Sequence, residues 1–471
     1  MRNQQFTFEG KTKTVLFVLM AVGVLSAAWI LLGNGDYKDY NTTRFWTNFL
    51  LNSVLFTGVG FLAVFYYSAR ITAYAGWDSD FKRVMEAVMS FLPVGLVLML
   101  IIAAGNYFGF HHLYHWVDDN AVKADEILQW KSGFLNKGVY LIATVVILLM
   151  WIFFARKFRS LSVQEDNRAD GEFSVHRTMR KYAAIFLPLG GFSSAAIIWL
   201  WVMSIDAHWY STLFAWYVTA SWLVSFFAIV ILMLVYLKSK GYYQLVTAEH
   251  FHDLGKYLFG FSIFWTYLWF SQYMLIWYGN VGEETIYFYE RMRHYPVLFY
   301  GNLVLNFVLP FFLLMFNTSK RKLGLIAFVA ALVLFGHWFD IFQMVKPGAL
   351  LTAREHAEHH ASAANGHEAH GADVKHADNH ATTGHATAEA EHGHTATGHE
   401  EVADVHGVNG FIVGFDVPGL QDVGMFVGFG ALFLLVVFSA LSKANLYAAN
   451  DPYFEESTHH QVMQLEDEHH H

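Results

Sequence analysis

Residues 209–237 read W-Y-S-T-L-F-A-W-Y-V-T-A-S-W-L-V-S-F-F-A-I-V-I-L-M-L-V-Y-L, 29 positions without one charged side chain. A helix needs roughly 20 apolar residues to cross the hydrocarbon core of a bilayer, where each backbone amide must be satisfied within its own segment. Nine further stretches meet the same test: 14–33, 45–67, 87–110, 138–155, 182–205, 257–282, 295–319, 323–345 and 423–442. Asp340 is the one charge inside all ten. The expected fold is therefore an all-α polytopic membrane protein of about ten transmembrane helices. The first run follows Arg2, Lys11 and Lys13, a flank that signal peptides share, but its 20 apolar residues exceed a signal core and it is read as a retained helix.

Composition agrees. Hydrophobic residues make up 55% of the chain, mean hydropathy is +0.32, and 15 Trp with 24 Tyr are available for the interfacial belts. Alternate loops differ in basic charge, and placing both termini in the cytoplasm puts 20 of the 30 Lys and Arg on that side. Arg156, Lys157, Arg159, Arg168, Arg177, Arg180 and Lys181 form the densest group, in a loop expected from 156 to 181. The expected location is the bacterial inner (cytoplasmic) membrane. The net charge of -9 does not point to nucleic acid, because the cations are spread along one membrane face rather than gathered into a groove.

The chain has no Cys, which excludes disulfides, thiolate-held iron–sulfur clusters and haem attached through C-x-x-C-H. His337 is the only histidine well inside a span, so a pair of bis-histidine haems is excluded as well. The expected organisation is helices one to nine over 1–345, a His-rich low-complexity loop over 346–421, helix ten over 422–442 and an acidic tail over 443–471. Twelve histidines fall between His356 and His406. His356, His359, His360, His367 and His370 begin that series, whose irregular spacing suits adventitious metal binding better than a structural site.

Ionisable groups at membrane depth are costly and mark substrate or proton routes. Span three ends with Asn106, His111, His112, Tyr114, His115 and Trp116, and span five with Asp206, His208, Trp209 and Tyr210. Span seven ends with Gln272, Tyr273, Tyr278, Glu283 and Glu284, while His337 and Asp340 lie three residues apart on one face of span nine. All fall near one membrane boundary in this topology. A quinol oxidised there would need an aromatic-lined cleft and proton acceptors, which His and partly buried carboxylates supply. Each group also has an ordinary reading as headgroup contact, helix cap or solvated loop. For His337 and Asp340 a buried function is favoured, since an unpaired carboxylate within a span is expensive.

The segment from His252 to Thr285, H-D-L-G-K-Y-L-F-G-F-S-I-F-W-T-Y-L-W-F-S-Q-Y-M-L-I-W-Y-G-N-V-G-E-E-T, resembles the NrfD-like (polysulfide-reductase-type) membrane subunits of bacterial alternative complex III. The segment S-I-D-A-H-W-Y-S-T-L-F-A-W-Y-V from Ser204 resembles the same family. With ten spans the likeness extends over nearly the whole chain outside the His-rich loop and is greatest to the second large membrane subunit. It implies two four-helix bundles, spans two to five and six to nine, with peripheral helices. It further implies a subunit of a quinol:electron-acceptor (cytochrome c or oxidase) oxidoreductase, not catalytic alone, oxidising menaquinol or ubiquinol. Iron–sulfur clusters and c-type haems would sit in periplasmic partner subunits, beside a related NrfD-like subunit and a terminal oxidase. The family's quinol site pairs a histidine with an aspartate, for which His111 or His115 with Asp206 are the candidates. The competing classes are a secondary transporter, suggested by breaks at Pro93, Pro188 and Pro310 but lacking a midplane charged pair, and a structural scaffold without ligand.

Overall fold

A computed structural model describes residues 4–33, 38–166, 173–368 and 412–461, with no side-chain placement for 38–39 and 355–368. The described chain is helical throughout. In order come α1 (Gly10–Leu32), α2 (Lys38–Thr72), α3 (Lys82–Met89), α4 (Leu92–Phe108), α5 (Asp119–Ala124), α6 (Glu126–Lys131), α7 (Lys137–Asp166), α8 (Ser174–Trp201) and α9 (Thr212–Ser239). Then follow α10 (Ala248–Gly279), α11 (Gly282–His294), α12 (Pro296–Leu303), α13 (Leu309–Leu314), α14 (Asn317–Arg321), α15 (Leu323–Glu368), α16 (Leu420–Leu441) and α17 (Phe454–Thr458). Among the described residues nine segments are long and apolar enough to cross a membrane, which makes this an all-α polytopic membrane protein.

The expected seventh span, α10, is not among the nine. It is 32 residues long, but Tyr257, Trp265, Tyr267, Trp269, Tyr273, Trp277 and Tyr278 lower its hydropathy without making it hydrophilic. A parity argument restores it. Leu446 N donates to Gln4 O at 2.8 Å, so both chain ends meet at one end of the bundle. In a bilayer that arrangement calls for an even number of crossings, and α10 is the candidate for the tenth.

Packing follows side-chain size. The pair α1 and α16 cross where Gly23 meets Gly428, and a Cβ added to Gly23 would lie 2.6 Å from the Gly428 Cα. Helices α2, α4, α7 and α8 form one group, with Trp151 Nε1 donating to Ser193 and Trp201 Nε1 to Thr144. Helices α9, α10, α12 with α13, and α15 form a second group. Trp222 of α9, seated on Gly58 of α2, and Trp338 of α15, bonded to Asn52 at 3.1 Å, join the two.

Two spans are not continuous. Span three breaks at Ser90–Phe91 ahead of Pro93, in the first turn of α4. In span eight a π-turn, Val304–Val308, precedes Pro310, which has no N–H to give the carbonyl of Asn306. Two expected boundaries move. The 156–181 loop is mostly helical, because α7 runs to Asp166 and α8 begins at Ser174. Likewise α15 continues to Glu368, so the segment after 345 starts as helix, with residues 345–350 buried. His356, His359, His360 and His367 fall on that helix, while His370, most of the His-rich loop and the final residues of the tail lie outside the described residues.

Candidate functional site

On α15 a three-residue spacing puts His337 and Asp340 on one face, and both are fully buried. Each of the other three helices of the second group sends a donor to the carboxylate. Tyr217 Oη of α9 and Asn302 Nδ2 of α12, the latter at 2.7 Å, donate to Oδ1, and Trp265 Nε1 of α10 donates to Oδ2 at 3.0 Å. The same Asn302 amide donates to Gln343 Oε1 at 3.0 Å and accepts from Asn306 Nδ2 at 2.6 Å. Asn306 also donates to Gly336 O, and only glycine fits there, since a Cβ would stand 2.3 Å from Asn306 Oδ1. Asn302 lies in the last turn of α12 and Asn306 in the π-turn, and both face α15. His337 Nδ1 meets Ser221 Oγ at 2.9 Å and stands 4.0 Å from Asp340 Oδ2, leaving Nε2 buried without a partner.

This carboxylate has three good donors and a neighbouring imidazole as its ion-pair partner among the described residues. A carboxylate buried inside a span and held by side chains of three other helices is costly to keep there and marks a functional position.

The polar groups nearer the far end, opposite the chain termini, do not form the anticipated set. Asp206 pairs with Arg291 of α11 at 2.9 Å. Arg291 lies 3.4 Å over the Tyr287 ring, which stacks on Trp209 at 3.9 Å, and Asp206 closes against Gly348 of α15. Burial opposes the Arg291 charge, but Tyr287 and Asp206 outweigh it and hold its pKa above the usual value. His208 bonds Asp125 on the connecting segment, half exposed, with the His115 ring 5.8 Å away. His111 is turned inward, its Nε2 3.1 Å from Ile102 O and its ring 4.7 Å from Trp46. Burial pulls its imidazole down to about 4, so it is neutral at physiological pH. His112 is exposed. Gln272 is buried with Nε2 unpartnered, and Tyr273 packs edge-on against Phe288. Glu283 is exposed and Glu284 half-buried in the first turn of α11, where the helix dipole favours them.

Two buried polar clusters were not anticipated. At the far end Asp422 of α16 accepts from Arg44 at 2.5 Å, Asn48 at 2.5 Å and the Gly419 amide at 2.7 Å, with Lys346 Nζ 3.7 Å away. Asn52 donates to Asn48 O and accepts from Trp338, so a polar strip on α2 runs from that cluster to the residue beside His337. Arg44, Lys346 and Asp422 each lie within a few residues of an expected span end, the signal that could have found them.

The second cluster overturns the expectation that polar groups gather at one boundary. At the termini-bearing end Arg70 pairs with Asp78 at 2.5 Å, Arg83 and Arg159 reach Glu86 at 2.8 and 2.9 Å, and Arg83 also bonds Asp166. Lys82, fully buried, bridges Glu165 at 3.1 Å and Asp451 of the C-terminal segment. Burial raises the Asp451 carboxyl, but Lys82 and Arg70 outweigh it and hold it down at about 2. Neither a scan of protein-family models nor a search of curated proteins finds a match to this chain.

Proposed function

We propose that the chain is an integral membrane subunit of a quinol-oxidising respiratory assembly of the NrfD-like type, in which the Asp340 cluster is a proton station. Its termini face the cytoplasm in this reading, and periplasmic haem and iron–sulfur subunits, with a second NrfD-like subunit, supply the electron path. The observation that carries the proposal is Asp340 itself, a fully buried carboxylate bonded from three neighbouring helices. A scaffold has no need of such a group, because apolar residues of similar volume stabilise a core as well or better. The likeness of 252–285 and 204–218 to the family supports the assembly, and the lack of Cys accords with redox centres held by partners.

The test is Asp340→Asn in the purified assembly. The amide keeps the shape and most of the hydrogen bonds but cannot titrate. Subunit stoichiometry and haem content should stay at the wild-type level, while proton translocation per quinol in proteoliposomes falls by about tenfold or more. Unchanged translocation would remove Asp340 from the proton path. A protein that purifies alone and without haem would instead overturn the assembly.

A further inference from the structure

An open cleft of about 510 Å³ lies where the loop after α2, the first turns of α10 and the C-terminal segment meet. Its mouth is polar, with Asp253 held 2.5 Å from Lys256 Nζ and 2.7 Å from His460 Nε2. Its wall is aromatic. Trp77 stacks on Tyr257 at 5.7 Å and 15°, and Tyr257 on Phe261 at 5.9 Å and 15°. The α10 positions 253, 256, 257, 260, 261 and 264 follow helical spacing, so the cleft is a stripe along one face that passes from charged to apolar. From Lys256 to Phe264 the stripe descends about 12 Å along the helix. Gly260 leaves it open, because a Cβ there would meet nothing within 4 Å.

A groove that is ionic at the end of a membrane helix and aromatic below it fits an amphiphile with its headgroup at the interface and its chain along the helix. The mouth offers both signs of charge. An anionic glycerol headgroup would draw Lys256 from Asp253 and leave that carboxylate with His460 alone. A quaternary ammonium would bring charge but no N–H donor. A primary-ammonium phospholipid does both, with its phosphate at Lys256 and its ammonium taking the place of Lys256 at Asp253. We propose that this cleft is a specific phospholipid site selecting an ethanolamine-type headgroup in the leaflet at the termini-bearing end. The proposal stands apart from any role in quinol oxidation.

Native mass spectrometry of the delipidated protein in detergent, titrated with dioleoyl phosphatidylethanolamine, phosphatidylcholine or phosphatidylglycerol, tests it. The ethanolamine lipid should bind about tenfold more tightly than the other two. Gly260→Phe should lower that affinity by about tenfold or more by filling the groove. Lys256→Met, at a side chain 50% exposed and so safe for folding, should abolish the headgroup preference while leaving some chain binding. Equal binding of the three lipids would overturn the proposal, as would full affinity in a natively melting Gly260→Phe protein. Saturable binding of a short-chain quinone that excludes the ethanolamine lipid would overturn it too.

Discussion

At the scale of single residues, two histidines of similar appearance in the sequence have opposite situations. His337 has Ser221 and Asp340 beside it, whereas His111 is packed on Trp46 and Gly105 with one carbonyl partner. Because burial lowers the folded-state value of His111 from 6.5 to about 4, the unfolded chain binds the proton more readily between those values. Stability must therefore rise with pH from about 4 to 6.5, and the site costs about 3 kcal/mol once pH is below both. His111→Gln keeps a donor for Ile102 O but does not titrate. Its melting temperature should depend less steeply on pH than the wild type's over that window, and identical slopes would mean that His111 is not the group involved. The partner of each polar residue was the least legible feature of the sequence. Asp206 was a candidate partner for His111 or His115, and the 3₁₀ turn at Met203–Ile205 and the return of α11 give it Arg291.

Among elements, the C-terminal segment shows what a count of basic residues leaves out. Lys82, Arg83 and Arg159 enter the positive-inside count as loop residues. That count ignores carboxylates, so it gives no sign that Glu86, Glu165 and Asp451 share the same space. Burial makes the arrangement consequential. Lys82→Met removes the cation that bridges Glu165 and Asp451 and leaves only Arg70 near Asp451, a loss of about 3–5 kcal/mol for a broken buried pair. The strain should appear first where the chain is least anchored otherwise. Hydrogen–deuterium exchange at Ala448–Tyr453 should accelerate in the variant while the midspan amides of α9 stay protected. Unaltered exchange in the tail would show that its aromatic contacts, such as Tyr447 on Tyr243 and Phe454, suffice to hold it.

For the whole molecule, length and lack of charge mark ten segments in the sequence, whereas hydropathy selects nine helices among the described residues. The missing helix is the one richest in indole and phenol rings, and two of them, Trp265 and Trp269, are buried in the second group. Trp265 reaches Asp340, and Trp269 packs on Phe299 at 5.0 Å. Tyr267, Trp277 and Tyr278, which lower the hydropathy as well, are exposed on the outer side of α10. The bridging of Gln4 to Leu446 makes the tenth crossing testable without a ligand. If α10 crosses, reporters inserted after Gly241 and after Asn280 must report opposite compartments, while fusions at the two chain ends report the same one. The basic-residue count assigns that shared compartment to the cytoplasm, so a fluorescent reporter should be active at both ends and alkaline phosphatase active only after Asn280. Matching reporters on either side of α10 would reduce the crossings to nine, and the termini could then not meet across a bilayer as they do here.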